Sequence, residues 1–326
     1  MNKKTLILPL AALALVSCGG NSNSSSSTDY NLEILSPTGA PALAMFDQGT
    51  NSHYTTLSNT TQVAGSFLTG AYDAIIFDGT SGLNNLIKNE LETYSLARWL
   101  TGGNFYLVST KYTAEDEIAA GSTFLAFGEN NVPAKVFRHL AKESWNIDVS
   151  STVYVEGVPQ VMQALTTNPT SYDYYFIAEP VLTNARNALK EQGVTVNEIY
   201  NLRTEWEKLT GQKAIPQAAL FIKNSTYEAH KSVVDTFLDH IEDNIDLAIN
   251  NPAEVKKIMD EQIPSVTDQA AKFAFNSNLV NNLQSNGNRF GLIAKGDIED
   301  NKAFADTFMS TLNGETYSYP SSLFLA

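Results

Sequence analysis

Tyr72-Asp73-Ala74-Ile75-Ile76-Phe77-Asp78-Gly79 and, about a hundred residues later, Tyr172-Asp173-Tyr174-Tyr175-Phe176-Ile177-Ala178-Glu179-Pro180 decide the fold. Each begins with Tyr-Asp, continues as an apolar run of strand length, and ends in an acid followed by a turn former. A run of four or five apolar residues bounded by turn residues predicts a strand covered on both faces. Each is also preceded by a helix that opens on Gln-Val, at Thr61-Gln62-Val63 and at Pro159-Gln160-Val161. A period this long is no solenoid. It suggests two similar lobes, with two helix–strand units alike by chance as the alternative.

Working outward, strands and helices alternate. Leu32-Glu33-Ile34-Leu35 and Ser122 to Phe127 read as strands, and Val153 with Val155 alternates as a strand does. Pro41 to Phe46 starts a helix. Val132, Val136, Phe137, Leu140 and Ala141 share one helical face, as do Val158, Val161, Met162 and Leu165; Leu182, Ala185 and Leu189 mark another helix. The order predicts an α/β fold, rich in parallel strands with helices on both sheet faces. The last third reads as mostly helical over Tyr227 to Asn250 and Pro252 to Leu283, with Val234, Phe237, Leu238, Ile241 and Ile245 in one stripe.

The N-terminus carries a different signal. Lys3 and Lys4 precede an apolar run from Thr5 to Val16, and Ser17 stands before Cys18, the only cysteine in 326 residues. Basic, apolar and small-residue parts in that order predict an export signal over residues 1–17, too short to persist as a membrane span. Gly19 to Asp29 has no apolar residue and predicts, with Cys18, a flexible tether over 18–29. Cleavage would take two lysines and no acids, moving the net charge from −14 to −16. So acidic a surface disfavours nucleic acid and anionic lipid as partners. With Cys18 the only cysteine, no disulfide can form within the chain, so the body must rest on its core. A body of this size predicts two domains.

Leu15-Val16-Ser17-Cys18 resembles the lipobox of bacterial lipoproteins, which implies lipidation of Cys18; an ordinary signal peptide is the alternative. The body resembles type II periplasmic solute-binding lipoproteins of ABC importers, in the nitrate, sulfonate, taurine and pyrimidine-precursor group. Ser36-Pro37-Thr38-Gly39-Ala40-Pro41, Tyr72 to Phe77, Ala178-Glu179-Pro180 and Ala218-Ala219-Leu220-Phe221-Ile222 carry the likeness, within Tyr30 to about Leu283. Gly128-Glu129-Asn130-Asn131-Val132-Pro133 departs from it by lacking the hydroxyl residue usual in sulfonate binders. The resemblance implies two lobes, 30–110 with 216–326 and 111–215, joined near Leu107 to Thr110 and Gln212 to Gln217. It further implies a small-molecule solute, a permease and an ATPase as partners, a lipid-anchored extracytoplasmic monomer, and no enzymatic activity.

In open α/β sheets, ligands gather beyond the carboxyl ends of strands. That rule selects Ser36, Thr38, Gly39, Asp78, Gly79, Thr80, Ser81, Asn104, Phe105, Asn130, Glu156 and Glu179 as candidate contacts. Hydroxyls and amides there can donate or accept, and the glycines let backbone approach closely. Each has a plainer reading. Ser36 and Thr80 could cap helices, the glycines could serve turns, and Trp99, Phe105, Tyr172, Tyr174 and Tyr175 could be core rather than stacking platforms. Asp78, Glu129, Glu156 and Glu179 together would repel a bare anion and favour a cation or donor-rich heterocycle, unless they face solvent or pair with Arg98 or Arg203.

No phosphate-cradling loop, nucleophile elbow or metal-spaced histidine pair occurs, so no metal or cofactor is expected. Asp235, Asp239 and Asp243 recur every four residues as a solvated helix face. His139 reads as structural. A hydrolytic pair of Asp78 and Glu179 has only its placement in its favour. Enzymes of this fold type, such as menaquinone-pathway dehydratases or thiamine-pyrimidine synthases, and a surface adhesin or antigen are the rival classes. Export argues against the first, and the pyrimidine synthases carry a cysteine-rich segment absent here.

Overall fold

The computed structural model describes residues 30–57, 60–129, 131–262 and 277–325. The signal, Cys18, the tether and Asn130 lie outside the described residues.

Two five-stranded mixed sheets organise the chain. The first contains β1 (Ile34–Pro37), β2 (Tyr54–Leu57), β3 (Ala74–Asp78), β4 (Tyr94–Trp99) and β10 (Ala218–Lys223), in the order β2-β1-β3-β10-β4. The second contains β5 (Phe105–Ser109), β6 (Phe124–Phe127), β7 (Val153–Val155), β8 (Tyr174–Ala178) and β9 (Asn197–Asn201), in the order β7-β6-β8-β5-β9. The two orders are the same pattern. In each, three strands pair in parallel, and one strand from across the molecule inserts antiparallel to two neighbours. That exchange makes the sheets mixed. Local alternation of strand and helix reveals only the parallel pairs.

The chain leaves the first sheet after Trp99 and enters the second at Phe105. Leu107 to Ser109, expected beside the first crossover, are therefore paired within the second sheet. Return to the first sheet occurs between the helix Leu202–Thr210 and Ala218.

Strand periodicity explains the core. On β10, Leu220 and Ile222 join Ile34, Ala74 and Ile76 on one face, beneath Val234, Ile241 and Ile245 of the helix Lys231–Asn250. Ala219 and Phe221 join Leu35 and Ile75 on the other face, with Phe67, Leu83 and Leu86. Both faces are covered, so these strands read as continuous apolar runs rather than as alternation. The second sheet is enclosed likewise, with Phe137, Leu140, Val161, Leu165 and Leu182 all fully buried around β8. Each such side chain stabilises the fold by about 1.5–3 kcal/mol. Tyr174, Tyr175 and Trp99 belong to these cores.

The helices after strand ends position the site. They are α1 (Thr60–Thr69), α2 (Gly79–Lys88), α3 (Val132–Glu143), α4 (Val158–Thr167), α5 (Val181–Lys190) and α6 (Leu202–Thr210). The expected helix at Pro41 to Phe46 is a short 3-10 helix, Ala40–Met45. Among the described residues, the helical last third contains α7 (Asn224–Ala229), α8 (Lys231–Asn250), α9 (Pro252–Gln262), α10 (Ser277–Ser285) and α11 (Asn301–Asn313); residues 263–276 of the expected helical stretch Pro252 to Leu283 lie outside the described residues. Among the described residues, no helix is long and apolar enough to cross a membrane.

Candidate functional site

A cavity of about 1110 Å³ lies at the strand ends and is lined by elements of both sheets. From the first sheet come the loop Pro37 to Pro41, Phe77, Asp78 and the start of α2. From the second come Asn104, Phe105, Phe127, Ala178, Glu179 and one face of α3. Thr38, Gly39, Asp78, Thr80, Ser81, Asn104, Phe105 and Glu179 of the sequence-derived set line it. Ser36, Gly79 and Glu156 stand outside the lining. Ser36 is buried with its hydroxyl 2.8 Å from the Tyr54 hydroxyl. Glu156 is exposed beyond β7. A Cβ on Gly79 would fall 2.0 Å from the Trp99 ring, so the residue is glycine for packing. Gly39, by contrast, has φ +107, a conformation other residues rarely adopt.

Asp78 spends its carboxylate locally. It caps α2 by accepting from the Ser81 amide at 2.7 Å and the Thr80 hydroxyl at 3.3 Å. The cap is thus Asp78 and not Thr80. Burial pushes its pKa up, opposed by those hydrogen bonds and by the charge of Lys135 across the cavity.

Glu179 is held on every side. Its side chain is 0% exposed. Oε1 accepts from Nε of Arg289 at 2.9 Å, and Oε2 accepts from the Thr183 amide at 2.9 Å. Its backbone exchanges two hydrogen bonds with Asn104, and its bond to Pro180 is cis. Asn104 Oδ1 accepts from Nε2 of Gln217, whose Oε1 accepts from the Gly103 amide. This network joins both crossovers to the second sheet. The arginine partnering Glu179 is Arg289, whereas Arg98 pairs with Glu242 and Arg203 with Asp297. Arg289 also meets Glu198 at 3.1 Å and lies 4.2 Å over the Tyr106 ring. Burial raises the Tyr106 pKa to about 12.

Of the four acids expected to repel an anion, Asp78 alone keeps its carboxylate on the lining without an arginine partner. Glu129 and Glu156 are exposed and off the lining, and Glu179 is neutralised by Arg289. The cavity also meets a cationic face of α3 that the sequence reading missed: Lys135, Arg138, His139 and Lys142. Lys142 pairs with Glu143 at 2.6 Å. Arg138 donates to the Glu129 carbonyl and the Tyr154 hydroxyl. Among the described residues, neither Lys135 nor Arg138 has a carboxylate in salt-bridge contact. Burial lowers the His139 pKa, which favours the neutral ring. The starts of α2, α3 and α4 also line the cavity, and the caps of α3 and α4 use no side chain. The positive ends of these helix dipoles favour negative charge. Phe77, Phe105, Phe127 and Val158 supply apolar lining.

The arrangement of two sheets with exchanged strands is shared with solved structures. An ABC transporter structure from Parabacteroides distasonis matches with a TM-score of 0.63 at 13% identity, over 90% of this chain and 98% of that one. The fold is that of the periplasmic binding proteins. The aliphatic sulphonate binding protein SsuA from Escherichia coli has it too, with a TM-score of 0.60 at 8% identity over 86% of this chain and 85% of that one. So does the ligand-binding component of an ABC-type import system from Staphylococcus aureus, solved with zinc bound (TM-score 0.59, 11% identity, 89% and 96% coverage). No protein-family model and no curated protein matches the sequence. At these identities the periplasmic-binding-protein likeness concerns fold.

Proposed function

We propose that the chain is an extracytoplasmic solute-binding protein that captures a small organic anion and delivers it intact to an ABC importer. The observation that carries this reading is the cavity lined from both sheets, which brings together aromatic residues and the α3 cations Lys135 and Arg138, neither of which has a carboxylate in salt-bridge contact among the described residues. Two lobes built on the two sheets would meet at Leu100 to Asn104 and Ala214 to Gln217 and close over the solute. Closure follows binding only if the closed form binds more tightly. The export signal, Cys18 lipidation and tether read from the sequence would hold the body near a membrane as a monomer, where a permease and its ATPase could receive the solute. The binding functions named for the structural neighbours, aliphatic sulphonates among them, support this reading.

Lys135 and Arg138 are assigned to the anionic head. The apolar lining is assigned to the solute's body. Thermal-shift screening of carboxylates and sulfonates against amines and neutral heterocycles tests the class. A bound anion at a hundredfold its Kd stabilises by about 2.7 kcal/mol. Lys135→Gln and Arg138→Gln are each expected to weaken that binding about 10- to 100-fold, with unfolding in the absence of ligand unchanged. Stabilisation by amines alone, or chemical conversion of the ligand during titration, would overturn the proposal.

A further inference from the structure

The C-terminal helix α11 lies beyond the region that carries the family resemblance, yet its last turn reaches the cavity. Asp300 caps it by accepting from the Ala303 amide at 2.9 Å, and Gly314 ends it with φ +70. Its first half sits on the first sheet's core. There Phe304 meets Trp99 edge-on at 5.6 Å, and the Trp99 indole donates to the Asn301 carbonyl at 3.2 Å. Its second half sits on the other core, where fully buried Phe308 packs 5.3 Å from Trp206. Met309 packs against both cores. One helix therefore rests on both bodies.

Met309, Leu312 and Asn313 share a helix face by their spacing, and all three line the cavity. The same cavity is lined by the cationic face of α3. A solute whose anionic head met Lys135 and Arg138 would have Met309 and Leu312 available for its apolar part. Met adapts to varied shapes, so this wall sets bulk and length rather than a single outline.

Resting on the solute-binding reading above, we infer that Met309 and Leu312 form a specificity wall that determines the length of the solute's apolar body. The test is calorimetric titration of the full chain with straight-chain carboxylates from acetate to decanoate. In the natural protein, affinity rises about fourfold per methylene until the chain fills the space against α11. Met309→Ala and Leu312→Ala are each expected to lower affinity for the longer chains about 10-fold while leaving acetate unchanged. Leu312→Met, a volume-conserving change, should restore the original profile. Thermal unfolding of each ligand-free variant identifies those that fold, and Leu312→Ala or Met309→Ala each suffices alone. Binding that depends on Lys135 and Arg138 but keeps the same chain-length profile in both alanine variants overturns the wall and leaves the solute reading standing. Binding of neither the straight-chain carboxylates nor the matching alkanesulfonates in the natural protein overturns both.

Discussion

The two tyrosine–aspartate repeats make the same connections in different surroundings. Asp73 Oδ2 accepts from the Glu33 amide at 3.0 Å, and its own amide donates to the Glu33 carbonyl at 2.8 Å. Asp173 Oδ2 accepts from the Thr123 amide at 2.8 Å, and its amide donates to the Thr123 carbonyl at 3.0 Å. Both aspartates thus tie the entry of their central strand to the residue just ahead of a parallel neighbour. Each also takes a bond from the segment after the inserted strand: Thr226 Oγ1 at 2.6 Å for Asp73, and Lys111 Nζ at 2.9 Å for Asp173. At the opposite strand ends the likeness stops. Asp78 caps a helix, whereas Glu179 is buried against Arg289. The entry acid makes the same tie in both repeats, and the exit acid serves a different local structure in each: a helix cap in one, a buried ion pair in the other.

The sharpest way to probe the unequal strand ends is Arg289→Met. It leaves the buried Glu179 carboxylate without its counter-charge and is expected to destabilise the protein by about 3–5 kcal/mol. Denaturant titration reads this, and Glu179→Gln in the same background should recover much of it. Little loss in the single variant would mean that the Thr183 amide and Asn104 suffice to hold the glutamate. Next in size are the paired strand entries. Asp73→Ala orphans the buried Thr226 hydroxyl and the part-buried Glu33 amide and should cost about 3 kcal/mol; Asp173→Ala, whose partners Thr123 and Lys111 are both exposed, should cost about 1 kcal/mol. Equal costs would show that burial does not separate the two repeats.

The smallest effect divides two histidines by pH. On the first-sheet side, His240 has its pKa raised, chiefly by the hydrogen bond to Asp47 (2.7 Å). It stabilises the fold fully below its unfolded pKa of about 6.5, and this is lost as pH rises through the folded value. His139, beside the cavity, has its pKa lowered by burial. Its neutral form is preferred, so stability declines as pH falls from about 6.5 through the lower folded value. His240→Asn should therefore lower the melting temperature more at pH 5.5 than at pH 9. His139→Asn should relieve part of the natural protein's loss at pH 5.5. Parallel pH profiles for the two variants would remove the contrast.

The sequence disclosed the parts whose environment is uniform. Ala74 to Phe77 and Tyr174 to Ala178 are legible as strands because both faces are covered. The apolar stripe of α3 is legible for the same reason, with Val136, Phe137, Leu140 and Ala141 all buried. Its cationic face was passed over because a polar helix face normally meets water, and here it meets a cavity. β9 reads Asn-Glu-Ile-Tyr-Asn, with only Ile199 buried, and gives little strand signal. Arg289 finds Glu179 across 110 positions of chain, a separation no local pattern reports. Among the loops at strand ends, placement was readable for Thr38, Thr80, Ser81 and Asn104. Whether a side chain there turns inward, as Ser36 does toward Tyr54, depends on packing from elsewhere.

The inserted strands impose an order on manufacture. A chain lengthening from its N-terminus has all five strands of the second sheet once Asn201 has appeared, while β3 and β4 still lack the strand that belongs between them. That gap persists until Lys223 is made. A product cut short before Ala218 would therefore carry two bare sheet edges, ready to recruit the wrong neighbour. The sheet begun first is the last to be finished.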